Sequence, residues 1–302
     1  MNSVQEQKCH CCESTDTVIS HQNSFFDLPV LRCNNCFYHF VNYRNNSDEI
    51  RQYYQKTYWS TFRNIDNKAK LEGKQVANTY PVKKFPVFIQ RIIEHTGVRK
   101  SLSHSQFRFT ERYIKGKNLL EIGSGEGFVL ELFEKKGFNV NGIEASKDNL
   151  RLIKKKLRTG ECKIGFAEDL PDYDKKFDVI IMSHVLEHLI NCRLVISSLR
   201  ELLAEDGIIF IEVPNCEDLI TLEHSVFTQP HLHHFTEKSF EFLFKSCGYE
   251  IIKSDISLSH VVTLAEHIKY MLKWFLKIDC YTKGTNSHGN ILRLIVSKTR
   301  KH

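Results

Sequence analysis

The 302-residue chain lacks any uninterrupted apolar run near the ~18 residues needed to span a bilayer, which argues against a transmembrane segment. Its first residues, Met-Asn-Ser-Val-Gln-Glu-Gln-Lys, hold none of the apolar core that a secretory signal needs, so the cytoplasm is the expected compartment. Neither charge sign dominates: 42 Lys+Arg against 36 Asp+Glu leave +6. That balance is compatible with an anionic substrate such as a nucleotide-sugar or RNA, but spread over the chain it is weak evidence, and a mixed solvated surface is the favoured reading. The dinucleotide fingerprint G-x-G-x-x-G is also missing. In residues 118–127, Asn-Leu-Leu-Glu-Ile-Gly-Ser-Gly-Glu-Gly, the third glycine comes one residue early and Phe128 follows it.

What is present at 118–127 is a strand, a glycine turn and the start of a helix. Leu119, Leu120 and Ile122 read as a buried parallel strand. Gly123, Gly125 and Gly127 let backbone approach a ligand closely. Glu121 and Ser124 flank the turn. A carboxylate here would repel a pyrophosphate, but it suits a ligand carrying an ammonium and a sulfonium, which describes S-adenosylmethionine (SAM). Further signals follow in order. Residues 138–144 read as a second strand ending at Glu144, 17 residues after Gly127, a spacing suited to holding ribose hydroxyls, with Ala145 next. Residues 166–171, Phe-Ala-Glu-Asp-Leu-Pro, form a short acidic loop. Residues 177–189 run through Ser183 and His184 to Glu187 and His188.

Together these stretches resemble the motifs of class I SAM-dependent methyltransferases, over roughly residues 100–256. The resemblance implies an α/β, Rossmann-like fold with a seven-stranded, mostly parallel sheet whose last strand is antiparallel. It also implies that Glu144 takes the ribose and that Glu168 or Asp169 lies by the adenine. Strands are expected near 118–122, 139–143, 162–166, 177–182, 207–213, 249–256 and 290–297. Helices are expected at 128–136, 146–157, 187–203 and 237–246, with Ser146 and Thr236 as N-caps and Gly248 ending the last.

Ten cysteines, four of them in two C-x-x-C pairs, fit a reducing compartment with a metal site better than a disulfide framework. Cys9, Cys12, Cys33 and Cys36 read as a four-thiolate structural zinc ribbon. Cys11 and His39 are alternative ligands. A module this short needs metal to supply the stability that a small core does not.

The expected organisation is a zinc ribbon at 1–45, a helical connection and cofactor-site cover at 46–115, and a SAM-binding domain at 116–302. A helical insertion lies at 257–289. Tyr53, Tyr54, Tyr58, Trp59 and Phe62 either close over the cofactor or pack the ribbon onto the main domain. A helix is expected over 86–97. In the insertion, apolar residues from Val261 to Ile278 recur at helical spacing, which fits packing over the cleft, a homodimer contact, or peripheral membrane contact through 260–278.

Methyl transfer to oxygen needs alignment and a base for the acceptor proton. His231 is the first choice, because it opens a loop after Pro230. His233, His234 and His184 are the other candidates, with Ser183 and His184 also near the cofactor. His188 reads as a structural neighbour of Glu187. The stretch from Pro230 to Tyr249 resembles the His-rich segment of bacterial methyltransferases acting on sugars in cell-surface polysaccharide pathways. The acceptor so implied is a small polar molecule, a sugar or nucleotide-sugar hydroxyl. An RNA base and a non-catalytic SAM-binding scaffold are the rival readings.

Overall fold

The computed structural model describes residues 8–43, 47–53, 58, 98–258, 269, 272–273, 275–276, 278–284 and 288–299. The expected helix at 86–97, the aromatics Tyr54, Trp59 and Phe62, and most of the insertion 257–289 lie outside these. The strands in chain order are β1 (Thr17–His21), β2 (Val30–Cys33), β3 (His39–Val41), β4 (Asn118–Ile122), β5 (Asn139–Glu144) and β6 (Glu161–Ile164). Then come β7 (Phe177–Ser183), β8 (Leu203–Pro214), β9 (His233–His234), β10 (Tyr249–Leu258), β11 (Thr282–Lys283) and β12 (Ile291–Lys298). The helices are α1 (Ser47–Gln52), α2 (Arg99–Thr110), α3 (Phe128–Lys135), α4 (Lys147–Lys156), α5 (Cys192–Leu202), α6 (Leu219–Phe227) and α7 (Glu237–Ser246).

The large sheet runs β11-β10-β12-β8-β7-β4-β5-β6. β8, β7, β4, β5 and β6 are parallel, and β12 inserts antiparallel between β8 and β10. This is the expected Rossmann-like arrangement of seven strands, extended at one edge by the two-residue β11. The central strands are buried on both faces, which is why they read as unbroken apolar runs: Val179, Ile180, Ile181 and Met182 are all fully buried. One face packs Leu119, Val179 and Phe210 against Phe133 of α3 and Ile153 of α4. The other packs Leu120, Ile180 and Met182 against α5 and α7.

Local chemistry sets the helix ends. Ser146 accepts from Asn149 N at 3.3 Å to start α4, and Thr236 forms a capping box with Ser239 to start α7. The helix expected over 187–203 is two pieces. A 3-10 turn at Leu186–His188 comes first, and α5 begins only after Asn191, whose side chain accepts from Leu194 N at 3.0 Å.

The N-terminal strands form a second sheet, ordered β1-β2-β3-β9, to which the main chain contributes its fourth strand. His39 pairs with His234 and Phe40 with His233. The apolar residues of this ribbon, including Tyr38 and Phe40, share one core with Leu186, Leu189, Phe235 and Phe240.

Candidate active site

In open parallel sheets ligands bind beyond the carboxyl ends of the strands. There the glycine corner is pinned to β5: Gly123 N and Ser124 N both donate to Ile143 O, at 2.9 and 3.1 Å. Gly123 and Gly125 have φ of +74° and +54°, and Gly127, at +77°, precedes α3. Glu144 closes the corner. Its carboxylate accepts from Gly125 N at 2.7 Å, Ser146 N at 2.8 Å and Asn149 Nδ2 at 3.3 Å. Ala145 is half-buried beside it.

This cradle fits SAM. Glu121 is buried at the end of β4, and its Oε2 has no hydrogen-bond partner among the described residues. Burial, and then the nearby Glu144 charge, push its pKa well above the usual carboxylate range, so an incoming cationic group would relieve that penalty. A Cβ built on Gly125 meets nothing within 4 Å, leaving room for a ligand. In the acidic loop, Glu168 Oε1 accepts from Ile190 N at 3.1 Å, which ties that residue to the backbone before α5.

The acceptor side is built on β7 and β8. Ser183 and Glu212 are register partners, and Ser183 Oγ donates to Glu212 Oε1 at 2.9 Å. Gln106 of α2 donates to both, at 3.0 and 2.9 Å. His184 follows with φ +53°, an uncommon conformation for a residue with a side chain. Its Nδ1 lies 3.2 Å from Glu187 Oε1 and its Nε2 3.8 Å from Glu212 Oε1, while its side chain stays 45% exposed. Low-dielectric surroundings pull its pKa down, but the hydrogen bond and charge of Glu187, joined by the Glu212 charge, outweigh them and hold it above the ordinary value.

The other candidate histidines are more buried than His184. His233 is buried; its Nε2 donates to Leu189 O at 2.6 Å and its Nδ1 accepts from the Tyr38 hydroxyl. His234 is buried, with Nδ1 2.8 Å from Ser225 Oγ. His231, the first choice as base from sequence, is 6% exposed with Nδ1 2.7 Å from the same Ser225 Oγ. Burial, and then neighbouring histidines, hold its pKa well below the ordinary value. His188, which packs ring-to-ring on His231, donates from Nδ1 to Pro230 O at 3.0 Å. Sequence reasoning missed Glu212 and Gln106. A glutamate inside the apolar run Ile208–Val213 was the available signal for the first, and the second had none.

At the ribbon, the sulfurs of Cys9, Cys12, Cys33 and Cys36 lie within 4.8 Å of one another. Cys9 and Cys36 are 3.5 Å apart, as are Cys12 and Cys33. A tetrahedral zinc with Zn–S of 2.3 Å has sulfurs about 3.8 Å apart, so the four fit that ion, whereas a disulfide needs about 2.05 Å. Neither Cys11 nor His39 joins this cluster.

Comparison with known proteins agrees with this geometry. Residues 97–254 match the family model described as a methyltransferase domain. A ubiquinone biosynthesis O-methyltransferase of Pelagibacter ubique is 33% identical over 113 residues, covering 36% of this chain and 47% of that protein. A demethylmenaquinone methyltransferase of Thermotoga maritima is 27% identical over 135 residues, covering 44% and 53% respectively. The chain thus spans about half the length of the curated relatives it matches. A crystal structure of a SAM-dependent methyltransferase from Thermotoga maritima, described as a possible histamine N-methyltransferase, superposes with a TM-score of 0.52 at 17% identity, over 72% of this chain and 97% of that one. Another from Clostridium acetobutylicum gives 0.50 at 12% identity, over 72% and 99%. These two likenesses establish the fold, and the family match spans both the glycine corner and the His184 segment. The chain belongs to the methyltransferase-domain family and carries a class I SAM-dependent methyltransferase domain.

Proposed function

We infer that the enzyme methylates a hydroxyl of a small polar acceptor, a sugar or nucleotide-sugar, with His184 as the base. The observation that carries this reading is His184 itself. It sits half-exposed at the end of β7, beside the glycine corner and between the carboxylates of Glu187 and Glu212. When bound, SAM supplies a methyl group already activated on a sulfonium. Glu121, the turn from Gly123 to Gly127, Glu144 and Asp169 would hold it, and Ser183 would border it. His184 then takes the acceptor proton while Glu187 offsets the imidazolium charge. Two buried acceptor atoms nearby, Glu212 Oε2 and Gln106 Oε1, have no hydrogen-bond partner among the described residues. Unpaired acceptors favour a ligand rich in O–H donors, which supports a polyol over an RNA base. The quinone-directed names of the curated relatives make a phenolic hydroxyl the second reading.

The four ribbon cysteines bind zinc in this reading, as a closed structural site. Four thiolates persist in a reducing compartment, which fits the cytoplasm. No helix among the described residues is long and apolar enough to cross a membrane. The deciding experiment incubates the protein with methyl-labelled SAM and separate panels of nucleotide-sugars, glycans, quinols and RNA. Label confined to quinols or RNA would remove the sugar reading. Turnover retained in His184→Ala would remove the base.

A further inference from the structure

We propose a second metal centre, distinct from the cysteine ribbon, in which Glu187, His188 and His231 bind one divalent first-row transition ion beside His184. The donor atoms of these three residues lie within 4.8 Å of one another. Donors 2.0–2.2 Å from a common ion sit about 3 to 4.3 Å apart, a spacing within reach of the three with small side-chain shifts. Two imidazoles and one carboxylate suit Zn²⁺, Co²⁺, Mn²⁺ or Fe²⁺, and leave further coordination positions open.

Two independent features point to a cation. Glu187 is fully buried, yet its Oε2 has no hydrogen-bond partner among the described residues. Oε1 is already occupied by His184 at 3.2 Å. A buried carboxylate oxygen without a partner carries a desolvation cost that a cation removes.

The histidines are also oriented as metal ligands are. A metal-bound imidazole usually commits its other nitrogen to a carbonyl, hydroxyl or carboxylate, which fixes tautomer and ring angle. His188 Nδ1 donates to Pro230 O at 3.0 Å, so Nε2 carries its lone pair, and the Tyr58 hydroxyl approaches that nitrogen to 3.5 Å. His231 Nδ1 meets Ser225 Oγ at 2.7 Å. Ser225 has one proton for two imidazoles. If it accepts from His231 and donates to His234 Nδ1, then His231 Nε2 is the lone-pair nitrogen. Because Glu187 holds His184 through its other oxygen, oxygen donors of an acceptor taken up by the ion would lie next to the base.

The test counts metal in the full-length protein carrying one zinc at the ribbon. Wild-type protein titrated with Co²⁺ should take up one further equivalent, with weak ligand-field absorption of a nitrogen/oxygen site and none of the intense thiolate charge-transfer bands. Glu187→Gln and His231→Gln should weaken that equivalent at least ten-fold. Ser225→Ala, which removes only the orienting hydroxyl, should weaken it about ten-fold or more. All three should keep the ribbon zinc and bind SAM by calorimetry as wild type does. Should His231→Gln lose SAM binding through misfolding, Glu187→Gln and Ser225→Ala decide the matter. Wild-type protein taking up no second equivalent at millimolar Co²⁺ would overturn the proposal, as would undiminished uptake in Glu187→Gln. Because the readout is metal content, it stands or falls separately from the identity of the acceptor.

Discussion

Gly123→Ala and Gly125→Ala add the same methyl group to the same turn, two residues apart, and should fail in different ways. At Gly123 the new Cβ would lie 2.3 Å from Val185 Cγ2. Val185 is β-branched and stiff at χ1, so it has little freedom to withdraw. The backbone is also left-handed there, with φ +74°. Left-handed strain costs an alanine about 1–2 kcal/mol, and forcing a methyl group into packed surroundings about 1–3 kcal/mol more. The variant should therefore lose roughly 2–5 kcal/mol of unfolding free energy. At Gly125 φ is +54°, but nothing lies within 4 Å of the added carbon. Only the strain remains, about 1–2 kcal/mol. That methyl would instead occupy the space assigned to SAM, so Gly125→Ala should lose SAM affinity out of proportion to its stability. Urea unfolding gives the first quantity and calorimetric titration with SAM the second. Equal stability losses in the two variants would refute the packing argument. Wild-type SAM affinity in Gly125→Ala would refute the placement of the ligand.

Three further outcomes are expected. His184→Ala should lower kcat by about 10²–10⁴ while SAM affinity stays within a few-fold, since removing a general base costs that much and the residue lies on the acceptor side; an unchanged kcat counts against the assignment. Cys36→Ser should lower zinc content and turnover together but spare SAM binding, because among the described residues the glycine corner is bonded to β5 and shares no hydrogen bond with the ribbon; loss of zinc with full turnover would show that the ribbon does not support the site. The third concerns acid. Burial first, then neighbouring charges, lower the pKa of His39 to about 4 and of His234 to about 3. Both lie below the unfolded value of about 6.5, so protonation favours the unfolded chain. Their contribution is complete above pH 6.5 and erodes as pH falls toward 4. Between pH 6.5 and 5 the loss is about 1.6 kcal/mol for each. His39→Gln should flatten the decline in urea midpoint over that range, and an identical slope in wild type and variant would dismiss the histidine as its source.

The readable parts of this chain are those set by local physics. The corner at 118–127 shows in sequence because close backbone approach needs glycine and the flanking strand is apolar on both faces. Caps at Ser146 and Thr236 show for the same reason, since each bonds within three residues. What stays hidden is decided across the chain. Helix α6 has Leu219 at 73% and Ile220 at 81% exposure, so its apolar residues do not mark its buried face. The histidines are the clearest case. Nothing local separates the roles proposed for them, because the carbonyl fixing His188 belongs to Pro230 and the one fixing His233 to Leu189. The His-rich loop drew attention as a catalytic lid, whereas most of its imidazoles face inward. His184, whose partners Glu187 and Glu212 converge only when β7 and β8 pair, stood last among the candidates.

The N-terminal sheet is joined to His184 through Glu187 by consecutive hydrogen bonds, which in the proposed reading gives that sheet a part in the chemistry. Val41 N, in β3, donates to Leu232 O at 2.9 Å, and Leu232 N donates to Glu187 O at 2.8 Å. Glu187 in turn meets His184 at 3.2 Å. Next to the β3–β9 pair, Thr236 Oγ1 donates to Cys36 O at 3.4 Å, and the Tyr38 hydroxyl donates to His233. A two-residue strand such as β9 would have little stability alone. It persists here because β3 supplies its ladder partners and a buried aromatic cluster covers it. In the proposed reading, loosening the four-cysteine centre would release the backbone that holds Glu187, and through it the orientation of His184. Since the glycine corner is anchored instead to β5, the N-terminal sheet would then act on the proposed acceptor half of the site and leave the cofactor half intact.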